Sequence, residues 1–315
     1  MTRLISSAII ILIVEFTYAQ SSFQVVPLGV KGGSDESNLS AYMIAPANSN
    51  EYICLDAGTI HAGIEKAIAS KTFDVSASVV LKQYIKGYFI SHGHLDHSAG
   101  LIINSPDDTA KNIYALPFVL DVLKEKYFSW KSWANFGDEG ESPALKKYHY
   151  SVLDTLNEMK IANTSMTVRA FVLSHSSPYQ SSAFLVKAGE NYILYLGDTG
   201  SDVIEHSDRL GRLWQFIAPL IKEKRLKGIF IENSFPDEQP DKQLFGHLTP
   251  HLLMNEMKAL NSFCGNADAL NGLPVIITHM KPVSNNEEKI KQQLQGNNPF
   301  KLKLIFPEQG QKINL

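Results

Sequence analysis

Residues 84–97 read Tyr84-Ile85-Lys86-Gly87-Tyr88-Phe89-Ile90-Ser91-His92-Gly93-His94-Leu95-Asp96-His97. The first part, Tyr84–Ser91, is a largely apolar run of strand length that leads straight into His92. Four potential metal ligands then fall within six residues, and Ser98–Asn104 continues with a helical pattern. His92 and His94 are two apart, so in an extended loop both can point to one side and grip one cation. Asp96 and His97 follow as the chain turns into the helix, where they can face a second cation. Imidazole and carboxylate together suit Zn²⁺, and also Mn²⁺ or Fe²⁺.

A six-residue loop cannot complete two sites alone. Three other apolar strands end on a ligand type: Val172-Leu173-Ser174 on His175, Leu194-Tyr195-Leu196-Gly197 on Asp198, and Val275-Ile276-Ile277-Thr278 on His279. Strand-to-loop junctions are where α/β folds build their sites. Together these residues provide five His and two Asp, the inventory of a binuclear site with one shared carboxylate. Further strands are expected at Phe23–Leu28, Ser40–Ile44, Glu51–Leu55, Thr167–Ser174, Ser182–Lys187, Gly228–Ile231 and Leu302–Phe306. Helices are expected at Ile64–Ser70, Pro117–Tyr127, Leu213–Lys224 and His251–Leu260. Strands alternate with helices, but many come in hairpin-like pairs, which predicts a layered α/β sandwich rather than a pure parallel sheet. Neither GxGxxG nor GxxxxGK[ST] occurs.

Composition narrows the function. The chain has 315 residues, 44% of them hydrophobic, with net charge −3 and two Cys. Disorder and a disulfide scaffold are excluded, and no basic stripe is present to track polymeric nucleic acid. Arg3, the apolar run Ala8–Val14 and Thr17-Tyr18-Ala19 read as a signal peptide over residues 1–19, cleaved after Ala19. The expectation is an exported, periplasmic or secreted protein without a stable membrane anchor, its single domain spanning residues 20–315. Cys54 and Cys264 read as two separate buried thiols.

HxHxDH, a later His, an Asp in a GDT turn and a last His resemble the metallo-β-lactamase superfamily. Within it, HGHLDHSAGLIINSP resembles the HxHLDHxxGLxxxSP signature of class II 3′,5′-cyclic-nucleotide phosphodiesterases. The similarity continues through IYALPF (Ile113–Phe118), Trp133–Phe136, SHSSPYQSSAFLV (Ser174–Val186), GDTGSD (Gly197–Asp202), GIFIENSFP (Gly228–Pro236), GHLTP (Gly246–Pro250) and THMKP (Thr278–Pro282). Ser98 departs from it, standing where that family has an aliphatic residue.

The resemblance implies a four-layer αββα sandwich. It also implies hydrolysis of cyclic AMP or cyclic GMP, a small-molecule substrate, by hydroxide held between two divalent cations, taken as Zn²⁺. By position, His92, His94 and His175 would hold one metal and Asp96, His97 and His279 the other, with Asp198 bridging. Asp96 and two further residues, His247 and Glu232, are expected in catalysis. His247 would protonate the departing 3′-oxygen or bind the phosphate, and Glu232 would orient it. Asp56 would support the histidine loop through hydrogen bonds. Trp133 and Phe136, in an aromatic-rich segment, are candidates for stacking the base, and Lys281 is a candidate substrate contact. The alternatives are another hydrolase on this fold, a thioesterase or lactonase, and a non-catalytic zinc-binding module.

Overall fold

Two seven-stranded mixed sheets pack face to face. A computed structural model describes residues 21–315; the segment 1–19 and its expected cleavage lie outside the described residues. In the first sheet β1 (Phe23–Gly29), β2 (Ala41–Pro46) and β3 (Tyr52–Leu55) are antiparallel neighbours. Then β4 (Ile85–Phe89), β5 (Lys111–Ala115) and β6 (Tyr148–Val152) add in parallel. The second sheet repeats that plan. Its strands β7 (Met159–Lys160), β8 (Met166–Ser174), β9 (Gln180–Ala188) and β10 (Asn191–Leu196) are antiparallel. Next, β11 (Leu226–Glu232), β12 (Pro274–Thr278) and β13 (Lys303–Ile305) follow in parallel. The last strand, β14 (Ile313–Asn314), returns to pair with β1.

The helices are α1 (His61–Ala69), α2 (Ala77–Val79), α3 (Leu95–Asn104), α4 (Pro117–Val122), α5 (Asp202–Glu205), α6 (Arg209–Lys222), α7 (Pro250–Cys264) and α8 (Asn286–Gly296). Three apolar cores mark the layers. Phe23, Tyr42, Phe89, Phe184, Tyr195 and Phe230 fill the space between the sheets. Ile64, Leu101 and Val119 carry α1, α3 and α4 onto the outer face of the first sheet. Trp214, Ile217, Leu253 and Met257 carry α6 and α7 onto the outer face of the second. This is the expected four-layer αββα sandwich in one domain. Cys54 and Cys264 are both free and buried. No helix among the described residues is long and apolar enough to cross a membrane.

Some expected elements shift. Helix α3 starts at Leu95 rather than Ser98, because His94 is extended (φ −67°, ψ 149°) and serves as its N-cap. Asp96 and His97 therefore lie in the first helical turn, where the helix dipole favours a carboxylate. The helix expected over Pro117–Tyr127 ends at Val122, and Leu123–Tyr127 widens into a π-helical turn. Helix α8 escapes the apolar pattern because only Ile290 and Leu294 of its eleven residues are buried. Strand β5 opens on Lys111, whose buried ammonium bonds Asp108 and the Leu81 carbonyl.

Candidate functional site

Both sheets deliver their strand ends to one edge of the sandwich. His92 and His94 follow β4, His175 follows β8, Asp198 follows β10, and His279 follows β12. Ligand atoms of His92, His94, His175 and Asp198 lie within 4.8 Å of one another, as do those of Asp96, His97 and His279. Asp198 belongs to both neighbourhoods. Its Oδ1 is 3.3 Å from His97 Nε2, while its Oδ2 is 3.7 Å from His92 Nε2, 3.9 Å from His175 Nε2 and 3.3 Å from His279 Nε2. A third group, Asp198, His247 and His279, is equally close.

The rings are held from behind. His97 Nδ1 meets Asp56 Oδ2 at 2.7 Å, and His175 Nδ1 donates to the Gly246 carbonyl at 2.9 Å. His279 Nδ1 meets Ser234 Oγ at 2.8 Å, and His92 Nδ1 meets Ser91 Oγ at 3.0 Å. In each case the outer nitrogen is engaged, which turns Nε2 toward the centre. Asp56 also accepts from the Ser91 N–H at 2.7 Å, the Ser91 hydroxyl at 2.8 Å and the Tyr195 hydroxyl at 2.7 Å. It stands behind the loop. Close packing completes the cradle, since a Cβ on Gly32 would fall 2.3 Å from His279 Cε1.

The electrostatics match a cation site. Burial, with His97 nearby, holds His92 well below the ordinary histidine range. Burial and His175 hold His94 down at about 4, and burial lowers His175 as well. Burial opposes ionisation of Asp96 and Asp198, yet His97 and His279 outweigh it and both carboxyl groups fall below their usual range. Neutral His92, His94 and His175 beside ionised carboxylates are the protonation states that a divalent cation requires. At His97, by contrast, burial is outweighed by Asp198, Asp56 and Asp96, which raise it well above the ordinary histidine range. His97 Nε2 is buried and has no hydrogen-bond partner among the described residues. Such an atom is costly to leave unpaired, and a bound cation would occupy it.

His247 is not the helix-capping residue that an ordinary loop histidine would be; Thr249 is the N-cap of α7. Only 5% exposed, His247 sets its Nδ1 2.7 Å from Glu232 Oε1. Glu232 is itself fixed by the Ser234 hydroxyl at 2.6 Å and the Thr199 N–H at 3.1 Å. Burial alone would lower His247, but the Glu232 carboxylate more than offsets this and raises it.

The structure does not bring the expected stacking pair to the histidines. Trp133 donates its indole N–H to Ser105 Oγ at 3.0 Å, at the C-terminal end of α3. That is about 13 to 14 Å along the helix axis from Asp96. The carbonyl of Phe136 accepts from Tyr148, and Gly137 pairs with Tyr148 at the start of β6. Since β6 runs parallel to β5 and β4, this is the sheet end opposite the site, about 13 Å away along the strand. The crowded aromatics reflect core packing: Phe128 is fully buried and Phe136 packs against it.

Two tyrosines occupy the site instead: Tyr127, which opens the aromatic-rich segment, and Tyr179, which the sequence does not single out. Tyr127 donates to the Gly93 carbonyl at 2.6 Å, and the Gly93 N–H donates to the Tyr179 hydroxyl at 3.2 Å. The Tyr179 ring stacks on His94 at 4.8 Å. Two tyrosines thus pin the residue between two ligand histidines. Ser98 also acts on this loop, donating to the His94 carbonyl at 2.9 Å. Lys281 lies at the site margin, its ammonium 5.7 Å from the Phe235 ring centroid and 3.8 Å from where a Gly33 Cβ would stand. Among the other histidines, His61 and His251 are exposed, and His149 pairs with Asp138.

The sequence profile of the family described as cAMP phosphodiesterases class-II matches residues 21–304. A 3′,5′-cyclic-nucleotide phosphodiesterase of Aliivibrio fischeri is 42% identical over 314 residues, covering 95% of this chain and 94% of that protein. Unliganded yeast PDE1 matches the fold with TM-score 0.84 at 24% identity, over 94% of this chain and 100% of that one. A metallo-β-lactamase fold protein from Bacillus subtilis matches with TM-score 0.61 at 14% identity, over 92% of this chain and 98% of that one.

Proposed function

The chain belongs to the class-II cAMP phosphodiesterases and hydrolyses 3′,5′-cyclic nucleotides; on that premise we propose a centre for two divalent cations and a role for each residue around it. His92, His94 and His175 hold one ion, Asp96, His97 and His279 the other, and Asp198 spans both. The observation that carries this reading is the central place of the Asp198 carboxylate, 3.7 and 3.9 Å from the Nε2 atoms of His92 and His175 and 3.3 Å from those of both His97 and His279. An imidazole-rich set with two carboxylates favours Zn²⁺. Two such ions supply a nucleophile at neutral pH by lowering the pKa of water and neutralise charge on phosphoryl oxygens.

The remaining work falls to the chain itself. Water adds to phosphorus, the bond from phosphorus to the 3′-oxygen breaks, and the 5′-phosphate remains. The departing 3′-oxygen needs a proton. His247 carries one on a ring that Glu232 holds by its Nδ1, and no hydrogen bond among the described residues uses its Nε2. Burial of Asp198, Glu232 and His279, each exposed by 2% or less, keeps bulk water from screening these charges. Lys281 adds positive charge at the margin, suited to a phosphodiester anion.

Export belongs to the same proposal. Arg3, Ala8–Val14 and Thr17-Tyr18-Ala19 support release of a chain that begins at Gln20. The activity is tested with purified protein and added Zn²⁺ on cyclic AMP, cyclic GMP, a lactone and a thioester. Turnover of either cyclic nucleotide is expected. Turnover of the lactone or thioester with neither cyclic nucleotide consumed would overturn it.

A further inference from the structure

Phe245 lies directly before Gly246 and two residues before His247. Its neighbours Leu244 and His247 are 1% and 5% exposed, whereas Phe245 is 65% exposed. Its backbone is left-handed, with φ +52°, a conformation that an aromatic residue rarely adopts. Gly246 is left-handed too, and a Cβ there would come 2.1 Å from the Ser176 nitrogen. The loop is therefore pressed against the chain leaving β8, and the Gly246 carbonyl accepts a hydrogen bond from His175 Nδ1.

This packing fixes Phe245 beside the site. Its Cα lies within about 7 Å of that of His247, and it is bonded to the residue that orients His175. Core formation does not account for an exposed ring, and strained backbone of this kind collects at functional sites. Trp130 is also left-handed and exposed. Its indole, however, is bonded to the Pro143 carbonyl, and its segment lies near Trp133, at the far end of α3.

We propose that Phe245 is the surface on which the nucleobase of the substrate stacks, and is therefore a specificity-determining residue. The proposal rests on the phosphodiesterase reading of the site. The ligand cluster and Lys281 suit the cyclic phosphate, which is small and anionic. The base is flat and largely apolar, and needs an aromatic face. Stacking one base on such a face corresponds to about a 5- to 150-fold change in binding.

The test compares kcat/KM for cyclic AMP with kcat/KM for ribose 3′,5′-cyclic phosphate, which lacks the base. The variants are Phe245→Gly, Phe245→Asn and Phe245→Tyr, each with a measured Tm. Glycine and asparagine tolerate the left-handed backbone, so neither should melt below the wild type. Both should lower the preference for cyclic AMP by about 5- to 150-fold, mainly through KM, and Phe245→Tyr should keep it. Calorimetry with 5′-AMP should show the same loss of affinity. An unchanged preference in the glycine and asparagine variants, with or without a fall in Tm, would overturn the stacking role alone. Failure of the wild type to hydrolyse any cyclic nucleotide would overturn the phosphodiesterase reading, and the stacking role with it.

Discussion

Asp56 receives the Nδ1 side of His97 at 2.7 Å, and on the other side of that ring Nε2 is buried and has no hydrogen-bond partner among the described residues. The carboxylate accepts from three more donors, on Ser91 and Tyr195. One residue thus sets the aim of His97 and ties the end of β3 to the loop after β4. Asp56→Asn replaces one acceptor oxygen with an N–H₂ group facing donors. Such supporting partners typically account for 10- to 100-fold in metal affinity. The expected result is a loss of about that size, read as metal content after dialysis against graded chelator. Retention equal to the wild type would leave Asp56 a purely structural residue.

Among the described residues, no other carboxylate near Asp198 faces both groups of histidines. Asp198→Ala should abolish phosphodiester turnover and lower bound metal, measured by elemental analysis on folded protein. Wild-type activity in that variant would end the two-ion proposal.

Gly32 tests the cradle around His279. A Cβ there would overlap the ring at 2.3–2.6 Å. The backbone cannot easily yield, because His279 N–H donates to the Val30 carbonyl at 3.0 Å and Lys31 bridges to Met280. Gly32→Ala should therefore move the imidazole. Overpacking of this kind costs about 1–3 kcal/mol of stability. The sharper readout is metal stoichiometry, expected to fall from two equivalents to one. A variant that melts lower but keeps both equivalents would show that the loop, rather than His279, gives way.

The parts of the site that are legible in the sequence share one signature. At His92, His175, Asp198 and His279, an apolar strand ends on a ligand type, so burial and chemistry are stated together. Strands that pair as hairpins and then alternate with helices indicate a layered α/β sandwich, and the resemblance to the metallo-β-lactamase superfamily implies its four layers. The supporting residues carry no such mark. Tyr195 and Ser234 are hydroxyl residues in or beside ordinary apolar strands, and only the pairing of the sheets puts Tyr195 on Asp56 and Ser234 on His279. Aromatic crowding misleads for a related reason. It reports apolar packing around Phe128 but carries no information on which end of the sheet the packing occupies. Phe245 is silent in the sequence because its signal is a backbone angle, visible only once Gly246 is seen against Ser176.

Export makes a prediction independent of the site. The mature protein should begin at Gln20 and appear outside the cytoplasm, which N-terminal mass determination on the exported fraction measures. An intact Met1 on that fraction would contradict cleavage.

His247 offers the most direct view of the chemistry. If its proton goes to the departing 3′-oxygen, removing the ring should harm the transition state far more than substrate binding. Positioned proton transfer contributes typically 10²–10⁴-fold. His247→Ala should lower kcat on cyclic AMP by about that factor while KM and metal content change little. The loss should shrink on a p-nitrophenyl phosphodiester, whose leaving group departs without a proton. Glu232→Gln should follow in the same direction but less steeply, because the ring stays and only the group at its Nδ1 changes. An equal, large loss on both substrates would instead assign His247 to phosphate binding. Equal activity on both, with a lower Tm, would reduce it to a packing residue between Glu232 and His279.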